Sequence, residues 1–184
     1  RAAGFDDVSL DLIYGLSGIL PGRPGDNWLR TVTQAITLAP EHVSAYQLTV
    51  EDRTSFGAAK RRGRLQLVND DAAADEFLSA HEQLDRAGFA HYEVSSYAQP
   101  GRRARHNSLY WSGAEILGLG AGACSFWQPR AGLGVRFGNH RSVNRYLAAR
   151  PAPSIAPLAA DPLVAAYEEQ GPAALAVDRI WLGL

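Results

Sequence analysis

Hydrophobic and polar positions at the start of the chain predict a strand, a helix and a second strand. The run 8–15 is short and mostly apolar, which is typical of a strand covered on both faces in a parallel sheet. A helix follows, with Asp26 as its N-cap and a stop before Pro40. A second strand is predicted over 43–50. This order implies a right-handed parallel crossover between the two strands.

The rest of the chain mixes helical and alternating patterns. It predicts a helix from Asp70 to Gly88, strand-like runs over 92–98 and 116–127, an edge strand over 135–140, and helices over 142–150, 162–170 and 172–184. The helix over 142–150 is expected to turn Tyr146 and Leu147 inward. Prolines between 151 and 157 indicate a linker.

A polar and aromatic loop, Arg105–Trp111, is predicted between two of these strand-like runs. The run behind it carries three glycines, Gly118, Gly120 and Gly122, and glycine in a strand marks a close approach of a ligand or of another backbone. The glycine spacing does not fit the dinucleotide fingerprint. The loop and the glycines indicate a site for a large flat ligand. The alternative is an ordinary surface loop with anchoring aromatic residues.

Composition narrows the class of protein. The chain has 184 residues, 46% of them hydrophobic and 20% charged, which suits a folded globular protein. A net charge of -1 argues against general nucleic-acid binding. No apolar run is long enough to cross a bilayer, and no signal peptide opens the sequence. The single cysteine excludes an internal disulfide and predicts a reducing, cytoplasmic location. There is no methionine, and both ends look cut, so we expect a fragment.

Three strings of residues carry a resemblance to a known family. They are Tyr-Glu-Val-Ser-Ser-Tyr-Ala from Tyr92, His-Asn-Ser-Leu-Tyr-Trp from His106, and Gly-Leu-Gly-Ala-Gly-Ala from Gly118. In this order and spacing the chain resembles the HemW branch of the coproporphyrinogen oxidase-like radical-SAM family. The resemblance covers nearly the whole chain, and it implies a haem chaperone that passes haem to acceptor proteins. It leaves two alternatives, the oxygen-independent coproporphyrinogen III oxidase of the same family and an inactive structural fragment.

The resemblance implies a haem site on the His-Asn-x-x-Tyr-Trp string. Its members here are His106, Asn107, Tyr110 and Trp111. His106 is a candidate ligand of the haem iron, and Cys124 is a second candidate because it stands where the family usually has histidine. The alternative for Cys124 is a small buried residue that abolishes the function. Several arginines precede the string, namely Arg102, Arg103 and Arg105. They suit the carboxylate arms of a tetrapyrrole, or they keep an exposed loop soluble.

The resemblance also implies a fold and further cofactors. The fold class is α/β, with the C-terminal part of a partial TIM-like radical-SAM barrel over 1–57, an α+β extension over 58–150, and a linker with the start of a small helical domain over 151–184. An S-adenosylmethionine site is expected at Asp11, Gln47 and Thr49, with Asp11 poorly exposed and one of the other two beside it. The alternative is that Asp11 hydrogen-bonds to neighbouring backbone and that Gln47 and Thr49 satisfy backbone at the mouth of the barrel.

Some features of the family are expected to differ or to lie elsewhere. The four-iron four-sulfur cluster has its ligands upstream of this chain. After Leu16 the sequence departs from the family pattern over 17–25, which leaves the details of the S-adenosylmethionine corner open. Partners are expected to be haem-accepting proteins and not nucleic acid, with dimerisation as a further possibility.

Overall fold

The computed structural model describes residues 3–16, 28–65, 67–149 and 158–182. Asp26, the departing loop over 17–25 and the linker over 151–157 lie outside the described residues. The chain divides into two compact units, Arg1–Ala104 and Arg105–Leu184. This division differs from the three segments expected from sequence, whose boundaries fall after residues 57 and 150.

The first unit contains a four-stranded sheet and three helices. Its elements are β1 (Ser9–Tyr14), α1 (Trp28–Thr37), β2 (His42–Gln47), α2 (Ser55–Arg61), α3 (Asp70–Arg86), β3 (Ala90–Glu93) and β4 (Ser96–Ala98). The strand order is β1-β2-β4-β3. Strands β1 and β2 are parallel, as the crossover predicts, and the pairs β2–β4 and β3–β4 are antiparallel.

One face of this sheet packs on helices α1 and α3. Val32 of α1, Val43 of β2 and Leu84 of α3 are fully buried in the core that these elements share. Side chains alternate between the two faces of a strand. Because Tyr14 belongs to the core, Leu12 points the same way, and Asp11 points to the opposite face. Burying each large apolar side chain contributes about 1.5–3 kcal/mol, so this face anchors the unit.

The second unit contains a three-stranded antiparallel sheet. Its elements are α4 (Arg105–Trp111), β5 (Cys124–Arg130), β6 (Leu133–Asn139), α5 (Val143–Ala148), a 3₁₀ turn (Leu158–Ala160), β7 (Val164–Gln170) and α6 (Pro172–Leu182). The strand order is β5-β6-β7, with both pairs antiparallel. Within the described residues, no helix is long and apolar enough to cross a membrane.

Four sequence-based predictions for this unit are wrong. The run 162–170 is not a helix, because Val164–Gln170 pairs with β6 as a strand. Consequently β6 lies between two strands and is not an edge strand. Arg105–Trp111 is a helix and not a loop. Leu147 of α5 does not point inward, since it is 73% exposed.

The strand expected over 116–127 is shorter than predicted. Only Cys124–Arg130 is a strand, and Ile116 forms an isolated bridge to Phe126. The segment between them bends back, so that the Asn139 side-chain amide donates to the carbonyls of Gly118 and Gly120 at 3.3 Å and 2.8 Å. A β-carbon on Gly118 would collide with the backbone of Cys124. The close approach that the glycines predict is therefore an approach of another backbone.

Candidate functional site

Three of the four residues that the resemblance assigns to the haem site lie on one side of helix α4. Asn107, Tyr110 and Trp111 are three and four residues apart, and residues at this spacing share a helix face. All three line one cavity of about 620 Å³ within the second unit. This volume is within the range of small-molecule and cofactor sites in proteins. These three residues therefore lie together on a helix, and not on the loop expected from sequence.

His106 lies beside this face but outside the cavity lining. Its ring meets the Tyr110 ring edge-on, with the ring centroids 5.3 Å apart and an interplanar angle of 88°. The two residues are one helical turn apart, which explains the contact. The His106 imidazole is exposed. It therefore contacts a lining residue without lining the cavity itself.

The floor of the cavity is a row of small residues across the sheet. Cys124 of β5 pairs with Gly138 of β6, and Gly138 pairs with Ala166 of β7. Paired residues on neighbouring strands point to the same face. The Cys124 Sγ atom and the Ala166 Cβ atom lie 3.7 Å and 3.8 Å from the place of a β-carbon on Gly138. This row leaves open space above the sheet.

The next row along the strands is bulkier and charged. Phe126 pairs with Arg136, and Arg136 pairs with Glu168. The Arg136 guanidinium carbon lies 5.9 Å from the centre of the Phe126 ring. Helix α6 closes this side of the cavity, and its lining residues are Leu175, Asp178, Arg179 and Leu182.

The arginines singled out in the sequence are not the ones in this cavity. Arg102 pairs with Asp7 at 3.4 Å, and the Arg103 guanidinium carbon lies 5.1 Å from the centre of the Tyr92 ring, both inside the first unit. Arg105 is on α4 but is not in the cavity lining. The cationic residues of the lining are Arg136 and Arg179 instead.

The residues expected to bind S-adenosylmethionine do not converge in the first unit. Asp11 pairs with Ser44 in the middle of β1, whereas Gln47 pairs with Tyr14, on the core side of the sheet. Thr49 follows the end of β2 and is exposed. Asp11 is exposed as well, so its expected burial is wrong, because its face is opposite to α1 and α3. These residues do not form one site, and their role stays a proposal.

A buried polar chain lies at the other end of the same strands. His42 is 3% exposed, and its Nδ1 and Nε2 atoms lie 2.8 Å from Ser9 Oγ and 2.8 Å from Tyr92 Oη. The Tyr92 hydroxyl also accepts the Ala104 backbone N–H at 3.1 Å. Burial lowers the pKa of His42 below its usual value, and the carboxylates of Asp11, Glu93 and Asp7 partly offset this effect. Sequence reasoning missed this chain, because Ser9, His42 and Tyr92 are far apart in sequence.

Sequence reasoning also missed most of the cavity. Gly138, Ala166, Arg136 and Asp178 carry no motif, and strand β7 was interpreted as a helix. The alternation Gly134, Arg136, Gly138 along β6 is the one signal that indicates a face thinned of side chains. Within the described residues there is no group of three or more metal-ligating side chains. The single cysteine, Cys124, is exposed and free.

Comparisons with known proteins agree with the resemblance. The haem chaperone HemW of Synechocystis sp. is 39% identical over 141 residues, which are 77% of this chain and 32% of that protein. The haem chaperone HemW of Lactococcus lactis is 36% identical over 151 residues, or 82% of this chain and 38% of the relative. The haem chaperone HemW of Mycobacterium tuberculosis is 40% identical over 146 residues, which are 79% of this chain and 35% of that protein. No family model matches the sequence.

A solved structure shares the fold. Coproporphyrinogen III oxidase (HemN) from Escherichia coli, a radical-SAM enzyme, superposes with a TM-score of 0.58 at 19% identity over 80% of this chain and 35% of that one. The present chain spans about a third of the length of the curated relatives that it matches. Over that third the chain belongs to the HemW family, with an α/β fold that matches part of the radical-SAM protein HemN.

Proposed function

We propose that this chain supplies the haem-binding part of a haem chaperone. One observation carries the proposal: Asn107, Tyr110, Trp111 and Cys124 all line the same cavity of about 620 Å³. The first three belong to the string that resembles the HemW haem motif, and the fourth is a candidate iron ligand. They come from α4 and β5, which the chain separates by a loop. Their convergence is what a binding site requires and what an ordinary surface loop does not need.

The lining residues of the cavity suit a flat macrocycle. Tyr110 and Trp111 supply aromatic surface on one wall, and aromatic rings are the usual partners of a planar apolar ligand. The opposite side is the small-residue floor, where Gly138 leaves room beside the Cys124 thiol. His106 and Cys124 are the proposed ligands of the iron. Cys124 belongs to the lining, and His106 lies one helical turn from Tyr110.

The proposed function of the whole protein is to hold haem and to pass it to acceptor proteins in the cytoplasm. In such a protein S-adenosylmethionine and a four-iron four-sulfur cluster would belong to the barrel, with Asp11, Gln47 and Thr49 on the S-adenosylmethionine side. In this chain the three residues do not converge, and its one cysteine cannot hold a cluster. Dimerisation remains a further proposal.

A matched pair of variants tests the haem site. Ala166→Leu places a large side chain in the lining, whereas Ala165→Leu makes the same change at the neighbouring residue outside it. Haem is titrated into each protein and followed by its Soret band. We expect Ala166→Leu to weaken haem binding by about tenfold or more and Ala165→Leu to leave it unchanged. Equal affinity in both variants would place haem elsewhere.

Delivery is tested separately. The haem-loaded protein is mixed with an apo-protein that binds haem tightly, and the change in the Soret spectrum is followed over time. We expect the haem to move to the acceptor faster than free haem exchange allows, because a chaperone must release its cargo. If the protein binds haem but never releases it to the acceptor, the binding proposal stands and the chaperone proposal is overturned.

A further inference from the structure

A charged pair bridges sheet and helix at the edge of the cavity. The Arg136 Nη2 atom on β6 donates to the Asp178 Oδ2 atom on α6 at 2.6 Å. Both residues line the cavity, and their side chains are 46% and 28% exposed. A partly exposed guanidinium is accessible to a ligand that enters the cavity.

The sheet fixes the position of the Arg136 side chain. Arg136 is two residues before Gly138 on β6, so the two Cα atoms are about 6.6 Å apart along the strand, and both side-chain positions face the cavity. The Phe126 ring lies 5.9 Å from the guanidinium carbon and supports it. A ligand on the small-residue floor would thus meet the guanidinium at its edge.

Asp178 keeps a second donor if Arg136 turns away. Its Oδ2 atom also accepts the Gln170 side-chain N–H at 3.0 Å. Gln170 is 4% exposed and therefore fixed in place. The guanidinium has five N–H donors, and the bond to Asp178 starts from one nitrogen. Exchange of Asp178 for a ligand carboxylate would therefore leave Asp178 hydrogen-bonded and offer the ligand a two-pronged contact.

The charged residues of the lining are two arginines and two carboxylates. Arg136 and Arg179 are balanced there by Glu168 and Asp178, and the remaining lining residues are uncharged. A carboxylate arm that pairs with Arg136 displaces Asp178, and the displaced Asp178 carboxylate keeps its hydrogen bond to Gln170 and its 28% exposure to solvent. A ligand without the arm leaves the internal pair as it is.

We propose that Arg136, supported by the Phe126 ring, exchanges Asp178 for a carboxylate arm of the ligand. This inference rests on the proposed function and assigns the ligand to the class of tetrapyrroles with free carboxylates. Arg136 is then a specificity-determining residue, because it separates carboxylated from esterified rings. The exchange breaks the bond to Asp178 and forms a bond to the arm, with no proton moved.

Haem and its dimethyl ester test the inference, since the ester lacks both carboxylates. Each is titrated into the wild type, Arg136→Gln and the control Arg130→Gln, which changes an exposed arginine outside the lining. We expect Arg136→Gln to weaken haem binding about tenfold or more, as for a lost charge-assisted bond, and to leave the ester unchanged. Arg130→Gln should behave like the wild type.

The outcomes separate the two proposals. If the wild type binds haem and Arg136→Gln binds it equally well, or loses haem and ester to the same degree, the inference is overturned and the proposed function stands. If the wild type binds neither haem nor its ester, the proposed function and the inference about Arg136 are both overturned. Asp178→Asn gives a second test that does not remove the guanidinium. It should tighten haem binding and leave the ester unchanged, whereas weaker haem binding than in the wild type would also overturn the inference.

Discussion

The Sγ atom of Cys124 lies 3.7 Å from the point that a β-carbon on Gly138 would occupy. The other two nearest atoms to that point, Ala166 Cβ and the Ala123 carbonyl oxygen, are at 3.8 Å and 3.9 Å. These are ordinary van der Waals distances, so a β-carbon fits without displacing its neighbours. The cavity floor is therefore open because a side chain is missing, and not because the backbone requires glycine there.

The first prediction follows from this spacing. Gly138→Ala should fold and bind haem nearly as the wild type does, whereas the two methyl groups of Gly138→Val should enter the cavity. We expect Gly138→Val to weaken haem binding by about tenfold or more, measured by Soret titration. Gly171→Val is the control, because nothing lies within 4 Å of a β-carbon at Gly171. Unchanged affinity in Gly138→Val would mean that haem does not rest on this floor.

The second prediction concerns the iron ligand. Cys124 belongs to the cavity lining and His106 does not, so the geometry gives Cys124 the more direct approach to a bound ring. We expect Cys124→Ala to shift the Soret maximum and to lower haem affinity more than His106→Ala does. Both substitutions change exposed residues, so folding should be preserved. A spectral change confined to His106→Ala would assign the iron to the imidazole.

The sequence predicted the first unit better than the second, and the reason is physical. The run from Leu10 to Tyr14 and the amphipathic helix α1 carry local patterns that predict their secondary structure, although β1 is covered on one face and not on both as its apolar run predicts. Strand β7 carries no such pattern, because Val164–Gln170 contains alanine and glutamate, which favour helices. Only its pairing with β6 makes this segment a strand.

The candidate site was also only partly predictable, because much of it depends on contacts between residues that are distant in sequence. The resemblance assigns Asn107, Tyr110 and Trp111 to one string, and the structure brings them to one side because residues three and four apart share a helix face. The helix itself was missed because the pattern was interpreted as a polar loop. The contribution of Gly138, Arg136 and Asp178 depends on strand register and on helix α6, and neither can be deduced from a local pattern. The string names residues that are close in sequence, whereas the side chains beside them come from distant strands and from α6.

The third prediction concerns pH and the first unit. Burial lowers the pKa of His42 in the folded protein, and the unfolded value is about 6.5. Between the two values the unfolded chain binds more protons, so the free energy of unfolding falls as the pH drops below about 6.5 and is fully retained above it. The slope is at most about 1.4 kcal/mol for each pH unit.

Urea unfolding of the wild type and His42→Gln between pH 5 and 8 measures this effect. We expect the difference in unfolding free energy between the two proteins to be largest above pH 6.5 and to shrink as the pH falls, because glutamine does not titrate. Tyr92→Phe, which removes the hydroxyl 2.8 Å from His42 Nε2, should destabilise the protein by about 1–3 kcal/mol through the partner groups it leaves. A pH-independent difference between wild type and His42→Gln would show that His42 keeps the same pKa in both states.

The fourth prediction concerns the packing of α6 on the sheet. A β-carbon on Gly134 would lie 2.7 Å from Leu175 Cδ2 and 2.9 Å from Phe126 Cε2, distances that force both side chains to move. Overpacking of this kind costs about 1–3 kcal/mol. We therefore expect Gly134→Ala to lower the midpoint of thermal unfolding and to weaken haem binding, because Leu175 and Phe126 both line the cavity. Gly171→Ala is the matched control, and equal stability of the two variants would show that α6 does not pack on Gly134 in solution.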